Sequence, residues 1–263
     1  MSTYDNICVL TSEFNYLAGV INYKFDPETA VPNIQKFDSE SKEFNIVQVK
    51  LRHSLIHEEI HELQDAIAEN NITEIIDALC DILYVVAGAR IYFNLHTNDD
   101  FQSRMENLIL SKPTHTFNTE TIKSILLNNE LKLDLSHKLC LYSDLLNELT
   151  ASILTGHNEI PEIIEQYTSI LNNIVLNVLT FANMIDIDIY KLFLIVHSSN
   201  MTKFCLTHTD AESTITWYKE HEKRYTQPTY KQIIYDSKIY YVIYDNVTNK
   251  VLKSFYYIPV NFS

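Results

Sequence analysis

The sequence predicts an all-α protein, an antiparallel helix bundle with a small C-terminal β-hairpin. Apolar residues recur at helical spacing through most of the 263 residues. Only the stretch after residue 238 is rich in Tyr, Ile and Val with the alternation typical of strands. Because 46% of the residues are hydrophobic and 21% are charged, the composition is that of a folded domain. At this length the chain could bury one large core or two small ones, and we expect residues 1–263 to form a single domain.

The first part of the chain predicts helices separated by polar breaks. Helical patterns cover 12–20 and 42–69, and a Pro-containing loop at 26–38 separates them. Asn70 and Asn71 end the long helix, and Thr73 is the residue we expect to cap the next one, which continues to residue 91. The short break predicts an antiparallel helix pair.

The remainder predicts an insertion, further helices and the hairpin. Residues 96–186 depart from a simple helix pair, and their polar first part contains short helical patterns at 101–110 and 120–127. Longer helical patterns follow at 136–154, 160–184, 189–196 and 210–223. The predicted strands are 238–244 and 251–258, around a turn at 246–249.

A faint internal repeat relates two helix pairs. The segment from Glu62 aligns with the segment from Glu148, and the segment from Glu74 aligns with that from Glu162, after an insertion of two residues. In this alignment Leu145 replaces Glu59 and Ser169 replaces Asp81. Residues 136–186 are then a degenerate second helix pair, and a chance match between helices is the alternative.

Composition excludes several classes of function. With 20 basic and 34 acidic residues, the formal charge is −14, which argues against binding nucleic acid or an anionic membrane. Apolar stretches are shorter than the roughly 20 residues of a membrane helix, so we expect no span. Three glycines are too few for a Gly-rich phosphate loop. Four scattered cysteines without C-x-x-C spacing predict a reducing, cytoplasmic location.

Acidic residues form one narrow stripe on the second predicted helix. Glu74, Asp77 and Asp81 share this stripe, and Val85 and Gly88 continue it with apolar or small residues. The stripe therefore runs toward a packed interface, where a carboxylate needs a cation. A solvated face of an amphipathic helix is the alternative interpretation.

The first helix of the pair offers matching carboxylates. Glu59 flanks the apolar stripe of this helix, and Glu62 lies three residues on, so both can share an ion with Asp77 and Asp81 of the neighbour. An all-oxygen set of this kind suits Mg²⁺, with Mn²⁺ as the alternative. Glu58 lies further round and can orient or deprotonate a water, although plain solvent exposure is equally compatible. The expected metal ligands are Glu59, Glu62, Glu74, Asp77 and Asp81, and the expected catalytic carboxylates are Glu58 and Glu59.

A zinc motif overlaps the same helix. His57, Glu58 and His61 fit H-E-x-x-H, the pattern of zinc metallopeptidases. Such an enzyme needs a third ligand, and no G-x-x-H follows His61. Glu74 could serve only if the two helices met at the right depth. A zinc peptidase therefore stays an alternative.

The stretch from Arg52 to Gly88 resembles the all-α nucleoside triphosphate pyrophosphohydrolases, the group of MazG, phosphoribosyl-ATP pyrophosphohydrolase and dimeric dUTPase. The hallmark of that group, E-x-x-E followed by E-x-x-D, maps onto Glu59, Glu62, Glu74 and Asp77, with Asp81 as the aspartate of an alternative register. The resemblance implies a bundle of the MazG and dimeric dUTPase type.

Two later segments extend the resemblance. Residues 197–204 and 250–254 are similar to the S-N-M-x-K and K-x-L-K segments of phage and bacterial MazG-like proteins. The resemblance implies that Asn200 and Lys203 border a nucleotide site and that Lys253 meets a phosphate. A structural turn and a solvated strand lysine are the alternatives.

These patterns together predict a Mg²⁺-dependent nucleotide pyrophosphohydrolase. It would cleave a (deoxy)nucleoside triphosphate to the monophosphate and pyrophosphate, with the metal bridging an acidic protein to an anionic substrate. We expect a homodimer or a higher homo-oligomer, unless the extra helix pair substitutes for a partner subunit. A catalytically inactive binding or assembly module is a third hypothesis beside the peptidase.

Overall fold

A computed structural model of the chain describes residues 2–41, 44, 46–97, 99–110, 122, 129–156 and 159–262. It is mostly helical and carries one small antiparallel sheet near the C-terminus, which confirms the predicted fold class. The helices are α1 Thr3–Leu17, α2 Ile46–Glu69, α3 Ile72–Phe93, α4 Asp99–Leu110, α5 Asn129–Thr155, α6 Ile160–Met184, α7 Ile189–Met201 and α8 His208–His221, and the strands are β1 Pro228–Tyr235 and β2 Lys238–Asp245.

The chain divides into two compact units. The first unit comprises Met1–Val9 and Phe25–Phe193, and the second comprises Leu10–Lys24 and Leu194–Ser263. The assignment of all 263 residues to one family domain with an insertion at 96–186 stays a prediction.

Among the described residues, helices α2 to α6 form a bundle in the first unit. In this bundle α2 packs on α3 and α5, while α6 packs on α5 and α3, and α4 lies against α6. The side chains of Ile56, Ile60 and Leu63 on α2 are buried, as the apolar stripe predicts. Burial of each such side chain contributes roughly 1.5–3 kcal/mol. Helices α5 and α6, which contain the predicted second helix pair, pack on α2 and α3 and so belong to the core of this unit. The helix predicted at 120–127 lies outside the described residues except for Ile122.

The connection between α2 and α3 is a tight corner. Asn70 adopts the left-handed conformation with φ of 53°. The side chain of Asn71 accepts a hydrogen bond from the backbone N–H of Glu74 at 3.4 Å and caps α3. The prediction of Thr73 as the cap is wrong, because the helix already begins at Ile72. Glu74 thus lies in the first turn, where the helix dipole favours a negative charge.

In the second unit, the sheet differs from the prediction. β2 is found where expected, but it pairs with β1 through a register that runs from Pro228 opposite Asp245 to Tyr235 opposite Lys238. Asp236 and Ser237 form the two-residue turn, both with positive φ, which matches the twist of a hairpin. The predicted pairing of 238–244 with 251–258 is wrong apart from a single bridge between Tyr244 and Val251.

The loop at 246–249 has its own support. The carboxylate of Asp245 accepts hydrogen bonds from the backbone N–H groups of Gln227 and Thr248, each at 2.9 Å, and from the Thr248 hydroxyl. These bonds hold the chain in a local turn rather than in a continued ladder.

Within the described part of the chain, no helix combines the length and the apolar character that crossing a membrane requires.

Asn71→Ala is expected to destabilise the protein by about 0.5–2 kcal/mol, because the first turn of α3 loses its side-chain acceptor. Thr73→Ala is the matched control and should change the free energy of unfolding by less than about 0.5 kcal/mol. Urea denaturation measures both variants. A larger loss for Thr73→Ala than for Asn71→Ala would contradict the assignment of the cap.

Candidate functional site

Carboxylates from α2 and α3 act on one another in the first unit. Burial raises the pKa of Glu59 to about 8, and the charges of Asp81, Glu62, Glu58 and Asp77 add to the shift. These five residues, Glu58, Glu59, Glu62, Asp77 and Asp81, form what we call the acidic cluster. The structure thus brings together residues that lie up to 23 positions apart, from Glu58 to Asp81.

The cluster lies at the edge of the bundle core. Glu59, Asp77 and Asp81 are half-buried, whereas Glu58 and Glu62 are exposed. The Oε2 atom of Glu59 is shielded from solvent and accepts no hydrogen bond from any described residue. A buried acceptor without a partner costs about 1–3 kcal/mol. The position of Glu59 therefore favours a proton or a cation beside this oxygen.

Exposed acids extend the negative potential of the cluster. Burial raises the pKa of Glu62, and the charges of Glu58, Glu74 and Asp65 raise it further. Glu74 is exposed in the first turn of α3, and its negative charge acts on Glu62. The neighbouring charges that shift the pKa of Glu59 and of Glu62 are all carboxylates. Such a site repels a free anion and attracts a divalent cation.

The acidic stripe of α3 runs into the interior, as the sequence predicts. Val85 is half-buried and Gly88 is buried, so the stripe ends in packed contacts beyond Asp81. The same helix contributes Leu79 and Leu83 to the core, each fully buried. Packing of Leu79 and Leu83 fixes α3 against the core. Asp77 and Asp81 therefore keep a constant depth relative to the core, because both lie on the same rigid helix.

The donor chemistry of the cluster fits a hard cation. Among the described residues, no three His, Cys, Asp or Glu side chains are already gathered as a metal cage. Mg²⁺ commonly binds through one or two carboxylates together with waters and substrate phosphates, and so needs no closed protein cage. The all-carboxylate composition and the unpartnered Oε2 of Glu59 therefore fit a hard divalent cation better than a soft metal.

The histidines of the zinc motif lie next to the cluster. The Nε2 atoms of His57 and His61 are 3.1 Å apart, and Nδ1 of His57 bonds the hydroxyl of Ser143 on α5. A structural or catalytic zinc needs at least three protein ligands. In the described ranges, no third His, Cys, Asp or Glu completes such a set with these two rings. The arrangement favours a role of His57 in holding α2 to α5.

The residues that the resemblance assigns to the substrate lie in the second unit. The ammonium of Lys203 donates to the side-chain oxygen of Asn200 at 2.5 Å. The ring of Tyr257 lies 4.4 Å from the ammonium of Lys253 and 6.0 Å from that of Lys203. The structure therefore brings Asn200, Lys203 and Lys253 together around Tyr257, a residue that the sequence reasoning missed. Two ammonium groups on one ring form a local cationic patch.

The acidic cluster lies in a segment of the sequence that matches a known protein family. Residues 33–107, which contain α2 and α3, match the phosphoribosyl-ATP pyrophosphohydrolase family. The chain is also 34% identical over 221 residues to a protein of Acanthamoeba polyphaga mimivirus named Uncharacterized protein L479, with 82% of each chain covered. No solved structure matches the chain. Through its phosphoribosyl-ATP pyrophosphohydrolase domain, the chain belongs to the MazG-like superfamily of all-α nucleoside triphosphate pyrophosphohydrolases.

Proposed function

We propose that this protein is a Mg²⁺-dependent pyrophosphohydrolase that cleaves a (deoxy)nucleoside triphosphate between its α and β phosphates. The products are the nucleoside monophosphate and pyrophosphate. The observation that carries this proposal is the acidic cluster, with the unpartnered Oε2 of Glu59, inside the segment that matches a nucleotide pyrophosphohydrolase family.

Net charge supports the need for a metal. The chain carries a formal charge of −14. Burial raises the pKa of Glu59 and of Glu62, and surrounding carboxylates raise both further. A triphosphate would be repelled from this surface in the absence of a cation. Bound Mg²⁺ supplies charge neutralisation at the phosphates and lowers the pKa of a coordinated water.

The residues of the cluster would have different roles in the reaction, according to their positions. Glu59, Glu62, Asp77 and Asp81 would hold the metal, because their oxygens come from both helices of a rigid pair. Glu74, at the exposed start of α3, would extend this ligand set. Exposed Glu58 would orient the attacking water or accept its proton.

By the resemblance, the cationic patch of the second unit would bind phosphate. Lys203 and Lys253 flank the same ring, and the bond from Lys203 to Asn200 holds one of the two ammonium groups in place. Lysine binds phosphate as a point charge and needs no bidentate geometry. The cytoplasmic location and the homo-oligomeric state stay predictions of the sequence.

Glu62→Ala and Asp77→Ala are each expected to lower Mg²⁺-dependent release of pyrophosphate by about 100-fold or more, because each removes a metal ligand. Glu69→Ala, an exposed carboxylate at the end of α2, is the matched control. The assay screens the ribo- and deoxyribonucleoside triphosphates with Mg²⁺ and with Mn²⁺, and circular dichroism checks folding. Retained activity in both cluster variants would refute the site.

His61→Ala is expected to leave Mg²⁺-dependent activity within about threefold of the parent, since no described group completes a zinc site. Elemental analysis of the purified parent should find no stoichiometric zinc. One tightly bound zinc per chain, lost together with activity in His61→Ala, would favour the peptidase instead.

Glu59→Gln is expected to stabilise the metal-free protein at pH 8. The pKa of Glu59 rises from 4.5 to about 8 in the folded chain, so folding favours the protonated acid and stability falls as the pH rises through this window. The amide resembles the protonated acid and avoids this loss. In a chelator, the variant should melt about 2–4 °C above the parent at pH 8 and close to it at pH 4.5.

Glu69→Gln is the control for this measurement, because its side chain is exposed at the end of α2. Mg²⁺ should raise the melting temperature of the parent more than that of Glu59→Gln. If the parent and Glu59→Gln lost equal stability between pH 5 and pH 8, the burial of the charge at Glu59 would be refuted.

A further inference from the structure

The second unit contains a cavity that the proposed reaction does not use. Its volume is about 510 Å³, and it lies between the C-terminal end of α7, strand β2 and the segment after β2. The volume falls within the usual range of small-molecule sites, roughly 300–1,000 Å³. Lining residues are Met201, Thr202, Phe204, Cys205, Leu206, Asp210, Lys238, Tyr240, Ser254 and Tyr256.

Aromatic rings form the walls of this cavity. Phe204 and Tyr240 are buried and meet edge to face, with an interplanar angle of 80°. Tyr256 also lines the cavity, and 54% of its surface is exposed. Aromatic walls favour a flat, polarisable ring as ligand, through stacking and edge-to-face contacts. Such contacts tolerate many ring chemistries.

Two hydroxyl groups of the lining, those of Ser254 and Thr202, are already engaged by the fold. The Ser254 hydroxyl accepts from the thiol of Cys205 at 3.4 Å and from the backbone N–H of Tyr256 at 3.1 Å. Thr202 donates to the carbonyl of Ser199 at 2.7 Å and accepts from the backbone N–H of Ile258 at 2.9 Å. Asp210 and Lys238 add two charged groups to the lining.

The two charges differ in what they can bind. Neither Asp210 nor Lys238 forms an ion pair with a residue in the described part of the chain. A carboxylate accepts hydrogen bonds from the N–H edge of a heterocycle, and a lysine ammonium binds a phosphate. The combination of an aromatic cavity, a carboxylate and an exposed lysine matches a heterocycle with an anionic tail.

We propose that this cavity binds a nucleoside monophosphate, with the base between Phe204, Tyr240 and Tyr256, its N–H edge on Asp210 and its phosphate at Lys238. The site lies wholly within the second unit and includes no residue of the acidic cluster. It requires no divalent metal. The inference therefore goes beyond the proposed hydrolysis and does not depend on it.

Binding is measured with the full-length protein in excess EDTA, by isothermal titration calorimetry with AMP, GMP, CMP and UMP. Trp217, the single tryptophan of the chain, locates the event, because it lies in the second unit 6.0 Å from Phe255, the neighbour of Tyr256. We expect saturable binding of at least one monophosphate, together with a change in tryptophan fluorescence.

Variants then test each wall of the site. Tyr256→Ala should weaken the monophosphate about tenfold, and Tyr256→Phe should restore it, because stacking requires the ring and not the hydroxyl. Lys238→Gln should weaken the monophosphate about fivefold and leave the free nucleoside unaffected, since only the phosphate is recognised there. Lys219→Gln, an exposed lysine on α8 outside the cavity, is the matched control.

Absence of binding in EDTA at ligand concentrations of ~1 mM would overturn the proposal. Equal affinity in Tyr256→Ala and the parent would overturn it too. A preference for N-acetyltyrosine amide over every monophosphate would show that the cavity serves a peptide side chain. Loss of pyrophosphate release in the acidic-cluster variants, with monophosphate binding unchanged, would separate the two sites.

Discussion

Burial of a carboxylate among other carboxylates at a helix interface is the constraint on which the candidate site of the first unit depends. Glu59 lies where α2 meets α3, partly out of water and among four other acids, and its pKa rises to about 8 for that reason. A protein selected only for stability would place apolar or oppositely charged groups there. The bundle tolerates the arrangement because Ile60 and Leu63, beside Glu59 on α2, are buried in the core. In the proposed function, this destabilising charge is the feature that would attract a cation.

The corner between α2 and α3 sets how the acids meet. Asn70 turns the chain with a positive φ, and Asn71 caps α3, so the two helices are joined without a flexible loop. Glu62 near the end of α2 and Glu74 at the start of α3 then interact across the corner, as the pKa shift of Glu62 shows. Placement by rigid elements rather than loops is what a preorganised metal site requires.

Local spacing predicted the parts of the site that depend on one helix pair. Carboxylates three or four residues apart share a helix face whatever the tertiary structure, so the meeting of Glu59 with Asp77 and Asp81 could be predicted from the sequence. The cap at Asn71 could not, because asparagine and threonine both cap helices and the boundary moves by one or two residues. The partner of β2 depended on a turn at Asp236 and Ser237 that lacks glycine. The cavity of the second unit joins Phe204, Tyr240 and Tyr256, which share no local pattern and meet only through tertiary packing.

The internal repeat of the sequence can be compared with the positions of the aligned residues in the structure. The positions that align with Glu59, Glu62, Asp77 and Asp81 are Leu145, Glu148, Glu165 and Ser169, and these four line one cavity of about 550 Å³ between α5 and α6. Equivalent positions therefore converge in both pairs, as a duplicated helix pair predicts, and the duplication stays a prediction. Two of the four acids are replaced in the second pair, and Leu145 removes the carboxylate that corresponds to the buried one. Without that charge the second pair has less reason to recruit a cation, which is consistent with the proposal of a metal site on α2 and α3.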